Sequence, residues 1–341
     1  MGEFSFNVGS IPVSGNLGVR YVKTSQSSHG VAVINGENTP VEAKRDYNDT
    51  LPSLNLVAEL TPDFLLRFGA AKVMARPGLG SLTPGVTVSV SGGARTVKGG
   101  NPNLDPIRAK TYDFAAEWYF NEASLLSVGL FYKDIDSFAQ NTNERRAFNT
   151  SGLPDSVAID LGASPDDDFS FSVPINTPGG ALKGAEANYV QTFTFLPGKF
   201  SNFGAQLNYT FVDSKIQYMT SKGDNSLKTD LTGLSRHSWS ATLFYQGDRF
   251  SGRVSATNRD DYLIQVPGTE QGFTDDVHGQ SGNTFVDASL RYKLNDKMEL
   301  SLEGTNLTNE PSQTWVGAGS QLPLDYSETG RVYLVGFRYK L

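Results

Sequence analysis

The sequence predicts an all-β fold, an antiparallel transmembrane β-barrel, and three observations carry that expectation. Apolar residues recur with a period of two along segments of about ten residues, long enough to cross a bilayer as tilted strands. Long polar connections alternate strictly with short turns. Charged residues keep to the polar parity of the segments. A mean hydropathy of -0.32 suggests a water-soluble chain, but a barrel wall puts only alternate residues in lipid, so its average is low by construction.

In chain order, Phe64, Leu66, Phe68 and Ala70 share one strand face. Tyr112, Phe114, Ala116, Trp118 and Phe120 share the next, followed across a short turn by Leu126, Val128, Leu130 and Tyr132. The pattern returns in Phe203, Ala205, Leu207, Tyr209 and Phe211, and in Trp239, Ala241, Leu243 and Tyr245. It continues through Val286, Ala288, Leu290 and Tyr292, then Met298, Leu300 and Leu302, and ends with Tyr333, Val335, Phe337, Tyr339 and Leu341. About thirteen strands and no helix are expected.

The short turns, rich in Gly, Pro, Asn and Asp, fall at 9–14, 61–63, 121–123, 197–199, 247–249 and 295–297. The long connections cover 28–40, 76–106, 138–180, 218–234, 263–282 and 309–328. A soluble sandwich has no reason to sort its loops in this way, whereas a transmembrane barrel carries short turns on one side and long loops on the other. Arg67, Glu117, Arg253, Asp287, Glu299 and Glu303 occupy the polar parity, as they must where a basic residue at mid-bilayer costs about 2 to 4 kcal/mol. Tyr112, Phe120, Tyr132, Tyr292 and Tyr339 fall near strand ends, where interfacial girdles form. Gln191, between Tyr189 and Phe193, breaks the alternation.

Composition removes several function classes. With no Cys there is no disulfide scaffold, and with only His29, His237 and His278 a Cys/His zinc site is out of reach. A net charge of -7 argues against phosphate-driven nucleic-acid binding. No apolar run is long enough for a membrane helix, and residues 1 to 20 hold no signal peptide but already alternate as a strand. No Gly-x-Ser-x-Gly elbow, His-Glu-x-x-His or P-loop occurs, so no enzyme is expected. An odd number of strands leaves a sheet open in lipid at several kcal/mol per unpaired backbone group, and further strands are therefore expected upstream.

Specific blocks add to the periodicity. Leu51-Pro52-Ser53-Leu54-Asn55-Leu56, Leu66-Arg67-Phe68-Gly69-Ala70-Ala71-Lys72 and Ala75-Arg76-Pro77-Gly78-Leu79 lead into Gly100-Asn101-Pro102-Asn103-Leu104-Asp105-Pro106 and Lys110-Thr111-Tyr112-Asp113. Near the end come Gly304-Thr305-Asn306-Leu307-Thr308-Asn309 and Gly330-Arg331-Val332-Tyr333-Leu334. This ordered set resembles the TonB-dependent outer-membrane receptors and covers essentially the whole chain. The resemblance implies a twenty-two-stranded barrel around a plug, of which residues 1–341 are the C-terminal part, with about nine strands, the plug, the TonB box and the signal peptide upstream. Barrels of this class usually end in an aromatic residue, whereas this chain ends in Leu341 after Phe337 and Tyr339.

The resemblance further implies a monomer in the outer membrane of a Gram-negative bacterium. Such a receptor takes a small-molecule nutrient from outside and is energised by TonB acting on the plug, with no cofactor of its own. An oligosaccharide is the expected cargo, a ferric siderophore the alternative, and a passive porin or adhesin barrel a rival of another class. No His lies between Arg76 and Asn101, so a haem receptor is not implied. Candidate ligand contacts lie in the outer loops: Asp260, Asp261 and Tyr262 on one flank of a long loop, Phe273 within it, and Trp315 in the last loop. Aromatic faces there could stack on sugars or flat ligands or equally serve an interfacial girdle or loop packing, while for the aspartates a charged rim is the plainer reading. Asp275-Asp276 carry the same ambiguity, and the contiguous Asp166-Asp167-Asp168 are expected to be a solvated loop rather than a Ca²⁺ site.

Overall fold

The computed structural model describes residues 1–34, 37–141, 144–151, 153–219, 226–266 and 277–340. Thirteen wall strands follow one another in chain order, each antiparallel to the next. They are β1 (Gly2–Val8), β2 (Ile11–Ile34), β3 (Glu37–Thr61), β4 (Phe64–Ala75), β5 (Ile107–Asn121), β6 (Ser124–Asn141) and β7 (Pro174–Thr192). Then come β8 (Phe203–Met219), β9 (His237–Gln246), β10 (Phe250–Arg259), β11 (Asn283–Asn295), β12 (Met298–Thr305) and β13 (Val332–Tyr339). The sheet starts at β1 and stops at β13 without the two edges meeting. Short turns close one end; between β1 and β2 only Gly9 and Ser10 remain, with Gly9 at a φ of 62° that glycine adopts without steric cost.

The register sorts side chains as the alternation demands. Leu17, Leu54, Ala70, Tyr112 and Tyr132 stand opposite one another across five strands and share one face. The other face is a polar lattice. Asn55 donates to Asn16 at 2.9 Å, Arg67 Nε to Glu117 at 2.8 Å, Asn208 to Ser240 at 3.0 Å and Thr242 to Ser255 at 3.0 Å. Wet pairs of this kind contribute about 0 to 1 kcal/mol each, so they order the inner face rather than hold the wall. The backbone ladder does that. Gln191 keeps the outward parity, opposite Ala205, and its amide oxygen accepts from the Tyr189 hydroxyl. The break in alternation is thus a satisfied polar pair near the short-turn end, with no slip of register.

The long connections depart most from expectation. Residues 28–40 are not a loop: β2 and β3 pair out to Ile34 opposite Glu37. At 24 residues β2 reaches about 80 Å, far beyond the apolar band of about 25 Å. Residues 76–106 and 138–180 fold partly together. Val86–Ser91, Ala94–Gly99, Asp168–Ser172 and Glu144–Ala147 make a four-stranded sheet, with Asp168–Ser172 running parallel to Ala94–Gly99. A one-turn helix, Ser156–Asp160, corrects the expectation of none. It packs Val157 and Ala158 against Phe148, Phe169, Phe171 and Val97, so the loops own a hydrophobic core.

The block Gly100 to Pro106 is a strap. Asn101 donates to the Pro174 carbonyl at 3.1 Å, Gln26 to the Pro102 carbonyl at 2.8 Å, and Arg45 to the Asn103 carbonyl and Asp105 carboxylate. Asn176 accepts from Asp105 N–H at 2.8 Å and donates back to its carbonyl at 3.1 Å. With Leu104 fully buried, the strap joins β2 and β3 to β7 above the wall. Asn306 acts similarly at the other end. At φ 52° it accepts from Glu310 N–H at 2.7 Å and donates to the Gly330 carbonyl at 3.1 Å, while its own N–H reaches Asp287 at 2.9 Å.

Two outcomes follow from this architecture. Leu207 and Gln206 are neighbours on opposite faces of β8 and both are exposed. Leu207→Arg should lower stability in lipid vesicles by about 2 to 4 kcal/mol and Gln206→Arg by under about 1 kcal/mol, measured by urea unfolding. Asn176→Ala removes both strap bonds, at about 1 to 3 kcal/mol of local stability. Limited proteolysis within 76–106 should then run roughly tenfold faster with the unfolding of the wall unchanged.

Candidate functional site at the mouth of the barrel

The connections from β10 to β11 and from β12 to β13 together build a second small sheet. It is built from Tyr262–Gln265, His278–Gln280, Ser312–Val316 and Leu322–Ser327. Its apolar side packs Val266, Val277 and Trp315 onto Ile216 and Tyr218 of β8, both almost fully buried. Burial pushes the Tyr218 hydroxyl above its usual pKa, and that hydroxyl accepts from Thr232 N–H at 3.0 Å and donates to the Asp230 carbonyl at 3.3 Å. Gln140 of β6 ties the underside: its amide accepts from Met219 N–H at 2.9 Å and donates to the Met219 carbonyl at 2.7 Å. The mouth is a packed structure carried on the wall.

Beside it lies a cleft of about 480 Å³. Asp260 and Asp261 line it together with Asp230, Arg236, Arg259 and Glu310. Asp260 is fixed through its backbone, with its N–H on the His237 carbonyl at 2.9 Å and its carbonyl accepting from Ser235 at 2.6 Å. Asp261 accepts from Gly282 N–H at 2.6 Å and from Gln321 at 3.4 Å. Tyr262 lies under the Arg259 guanidinium, 3.7 Å from its ring centroid, and Arg259 also donates to Ser235 at 3.0 Å and to the Gly233 carbonyl at 3.1 Å. Arg236 sits between Asp230 at 3.4 Å and Asp213 at 3.7 Å.

Asp260, Asp261 and Tyr262 therefore come together, while the other two candidates do not join them. Trp315 is 5% exposed and lies over Gly279, its register partner, where a Cβ would overlap the indole. The expectation of an exposed stacking ring is corrected to loop packing. Phe273 and Asp275-Asp276 lie outside the described residues. Arg236 and Arg259 escaped the sequence reading. The signal for Arg259 was available, since a charge ends a strand immediately before Asp260 and Asp261.

The aspartates at 166–168 have protein partners. Asp166 accepts from Asn149 at 2.9 Å, Asp167 from Ser164 N–H at 2.9 Å with Arg95 at 3.0 Å, and Asp168 lies 3.8 Å from Arg145. Among the described residues no group of three or more His, Cys, Asp or Glu is placed to hold a metal ion. On the inner face of the wall a groove of about 570 Å³ runs past Asn16, Asn55, Arg67, Asp113, Phe131 and Glu186.

Comparison with known proteins agrees with the fold. The family model "TonB dependent receptor-like, beta-barrel" matches residues 1–307. The ferric-catecholate import receptor Fiu of E. coli K12 superposes with a TM-score of 0.61 at 16% identity, over 96% of this chain and 42% of its own. The ferric yersiniabactin uptake receptor FyuA of Yersinia pestis gives 0.60 at 14%, over 99% and 44%. The siderophore receptor PirA of Acinetobacter baumannii gives 0.56 at 14%, over 96% and 46%. The chain thus spans less than half the length of these receptors, and no curated protein matches its sequence. With nine-tenths of its length matched by the barrel model, the chain belongs to the TonB-dependent receptor family, a family of outer-membrane receptors and transporters rather than enzymes.

Proposed function

We propose that this chain is the C-terminal wall and mouth of an outer-membrane receptor that captures a neutral oligosaccharide for TonB-dependent uptake in a Gram-negative bacterium. Further strands complete the barrel at the free edges of β1 and β13, and a plug in the upstream part of the receptor receives TonB. The receptor works as a monomer, and its task is binding and passage. Family membership leaves a passive porin or adhesin without support.

The composition of the mouth cleft carries the choice of cargo. Asp230, Asp260, Asp261 and Glu310 outnumber Arg236 and Arg259, so at neutral pH the cleft is net acidic. An anionic ferric catecholate would meet repulsion there, whereas sugar hydroxyls can donate to the carboxylates beside Arg259, which Tyr262 holds in place through its ring. The reading against it is a ferric siderophore, favoured by the names of the solved relatives. A neutral or cationic chelate would satisfy both observations.

Titration of the complete receptor in detergent with a maltooligosaccharide mixture and with ferric enterobactin separates the two. The first should bind and Tyr262→Ala should weaken it roughly three- to tenfold, from loss of a ring contact to Arg259 of about 0.5 to 1.5 kcal/mol. Asp260→Asn with Asp261→Asn acts in opposite senses: affinity falls for a sugar that donates to these carboxylates and rises for an anionic chelate. Tight binding of ferric enterobactin without any sugar binding would reject the oligosaccharide reading.

A further inference from the structure

The rule that charges avoid the lipid-facing parity is broken on β4 and β5 by two like charges. Lys72 shares the parity of Phe64, Leu66, Phe68 and Ala70, and Lys110 that of Tyr112, Phe114 and Trp118. The two lysines stand directly opposite each other in the ladder. Like charges so placed repel, and only Lys110 is relieved, by Asp134 at 3.4 Å. Lys72 has no ion pair or side-chain hydrogen bond among the described residues, and it is exposed. An arrangement that destabilises the wall calls for an anion.

Depth identifies the zone in which that anion must lie. Lys72 is eight residues past Phe64, about 26 Å along the strand and about 20 Å along the membrane normal at barrel tilt. That is the outer edge of the apolar band. Tyr112 and Tyr132, one register step nearer the bilayer centre with ring centroids 6.4 Å apart, mark the same boundary. Directly below the lysines the wall is hollowed: Leu17, Leu54, Ala70 and Tyr112 line an outward groove of about 260 Å³ that ends at Lys72 and Lys110. The small Ala70 between Leu54 and Tyr112 leaves the space.

We infer that this groove binds one lipid of the outer leaflet through a phosphate in its headgroup. The phosphate bridges the Lys72 and Lys110 ammonium groups, and an acyl chain lies along Leu54 and Ala70. The charge match and the apolar channel aligned with it select a phosphorylated lipid over a zwitterionic one and over free phosphate. The inference rests on the wall spanning a bilayer, as proposed above, and adds a site distant from the nutrient cleft.

The test uses the complete receptor in phosphatidylcholine nanodiscs containing a minority of phosphatidic acid, with retained lipid counted by native mass spectrometry. The wild type should retain phosphatidic acid selectively. Lys72→Gln or Lys110→Gln should each lower retention about fivefold and the pair about twentyfold, while Lys297→Gln in a short turn should leave it unchanged. Ala70→Leu, which fills the groove without altering charge, should also lower retention and keeps the test decisive if the double variant fails to fold. Equal retention by the double variant and the wild type would overturn the inference, as would inorganic phosphate binding the lipid-free receptor as strongly as the lipid does. Nutrient binding unchanged in the variants leaves the receptor reading intact whichever way the lipid result falls, whereas failure of the wild type to enter nanodiscs at all would overturn both.

Discussion

The constraint on which the structure depends is that a backbone amide or carbonyl in lipid has no water to bond with. Each such group left unpaired costs several kcal/mol, so the wall is a continuous ladder in which every strand pairs with its successor in the chain. Sequential pairing requires tight turns at one end, and two-residue connections such as Gly9-Ser10 and Pro62-Asp63 supply them. It also isolates the two places where the ladder stops. β1 and β13 each present one free edge, and a sheet in a bilayer cannot keep such edges, which is the physical ground for placing further strands there.

Beyond the bilayer the constraint relaxes and a different one takes over. Water satisfies backbone groups, so loops need no ladder, but a loop of thirty residues held in one shape must bury apolar surface to offset its conformational entropy. The chain meets this with two separate cores. Phe148, Phe169 and Phe171 gather one, and Ile216, Tyr218 and Trp315 the other. The strap from Asn101 to Pro106 anchors the first to β2, β3 and β7. The cleft lined by Asp260 and Asp261 is set by the second, because Tyr262, the next residue, begins a strand of the sheet that buries Trp315.

What the sequence disclosed and what it hid divide at the membrane boundary. Within the bilayer each residue faces either lipid or lumen, so Leu207 and Gln206 declare their sides by chemistry alone, and the strand count and turn positions follow. Outside it both strand faces are polar, as in Ser25 to Ser28 of β2, and alternation loses its meaning. The pairing of Asp168–Ser172 with Ala94–Gly99 joins segments some seventy residues apart, a contact with no local signature. Trp315 is ambiguous in the sequence for the same reason: an aromatic in a polar loop reads equally as a stacking ring or as packing until the strand carrying Gly279 is known to lie beneath it. The position of Asp260, Asp261 and Tyr262 at the rim can be read from sequence because they directly follow the end of a regular strand.

The boundary itself can be read from charge once parity is tied to depth. At mid-wall Arg67 and Glu117 bond each other on the inner face, where desolvation leaves no outward alternative. From the tyrosine row onward the outward parity admits charge, with Lys183 and Asp213 in register with Tyr132 and Lys72, Lys110 and Asp134 one step further out. The penalty for an outward charge falls to about 0 to 1 kcal/mol near the interface, and the sequence uses that freedom as soon as it is available. Four of these groups then pair at once, Lys183 with Asp213 at 3.7 Å and Lys110 with Asp134 at 3.4 Å. Lys72 alone of the five has no oppositely charged neighbour in register, being flanked by Lys110 on one side. A charge that solvent permits but no side chain answers is a cue to what lies outside the protein, and at this depth what lies outside is the headgroup layer.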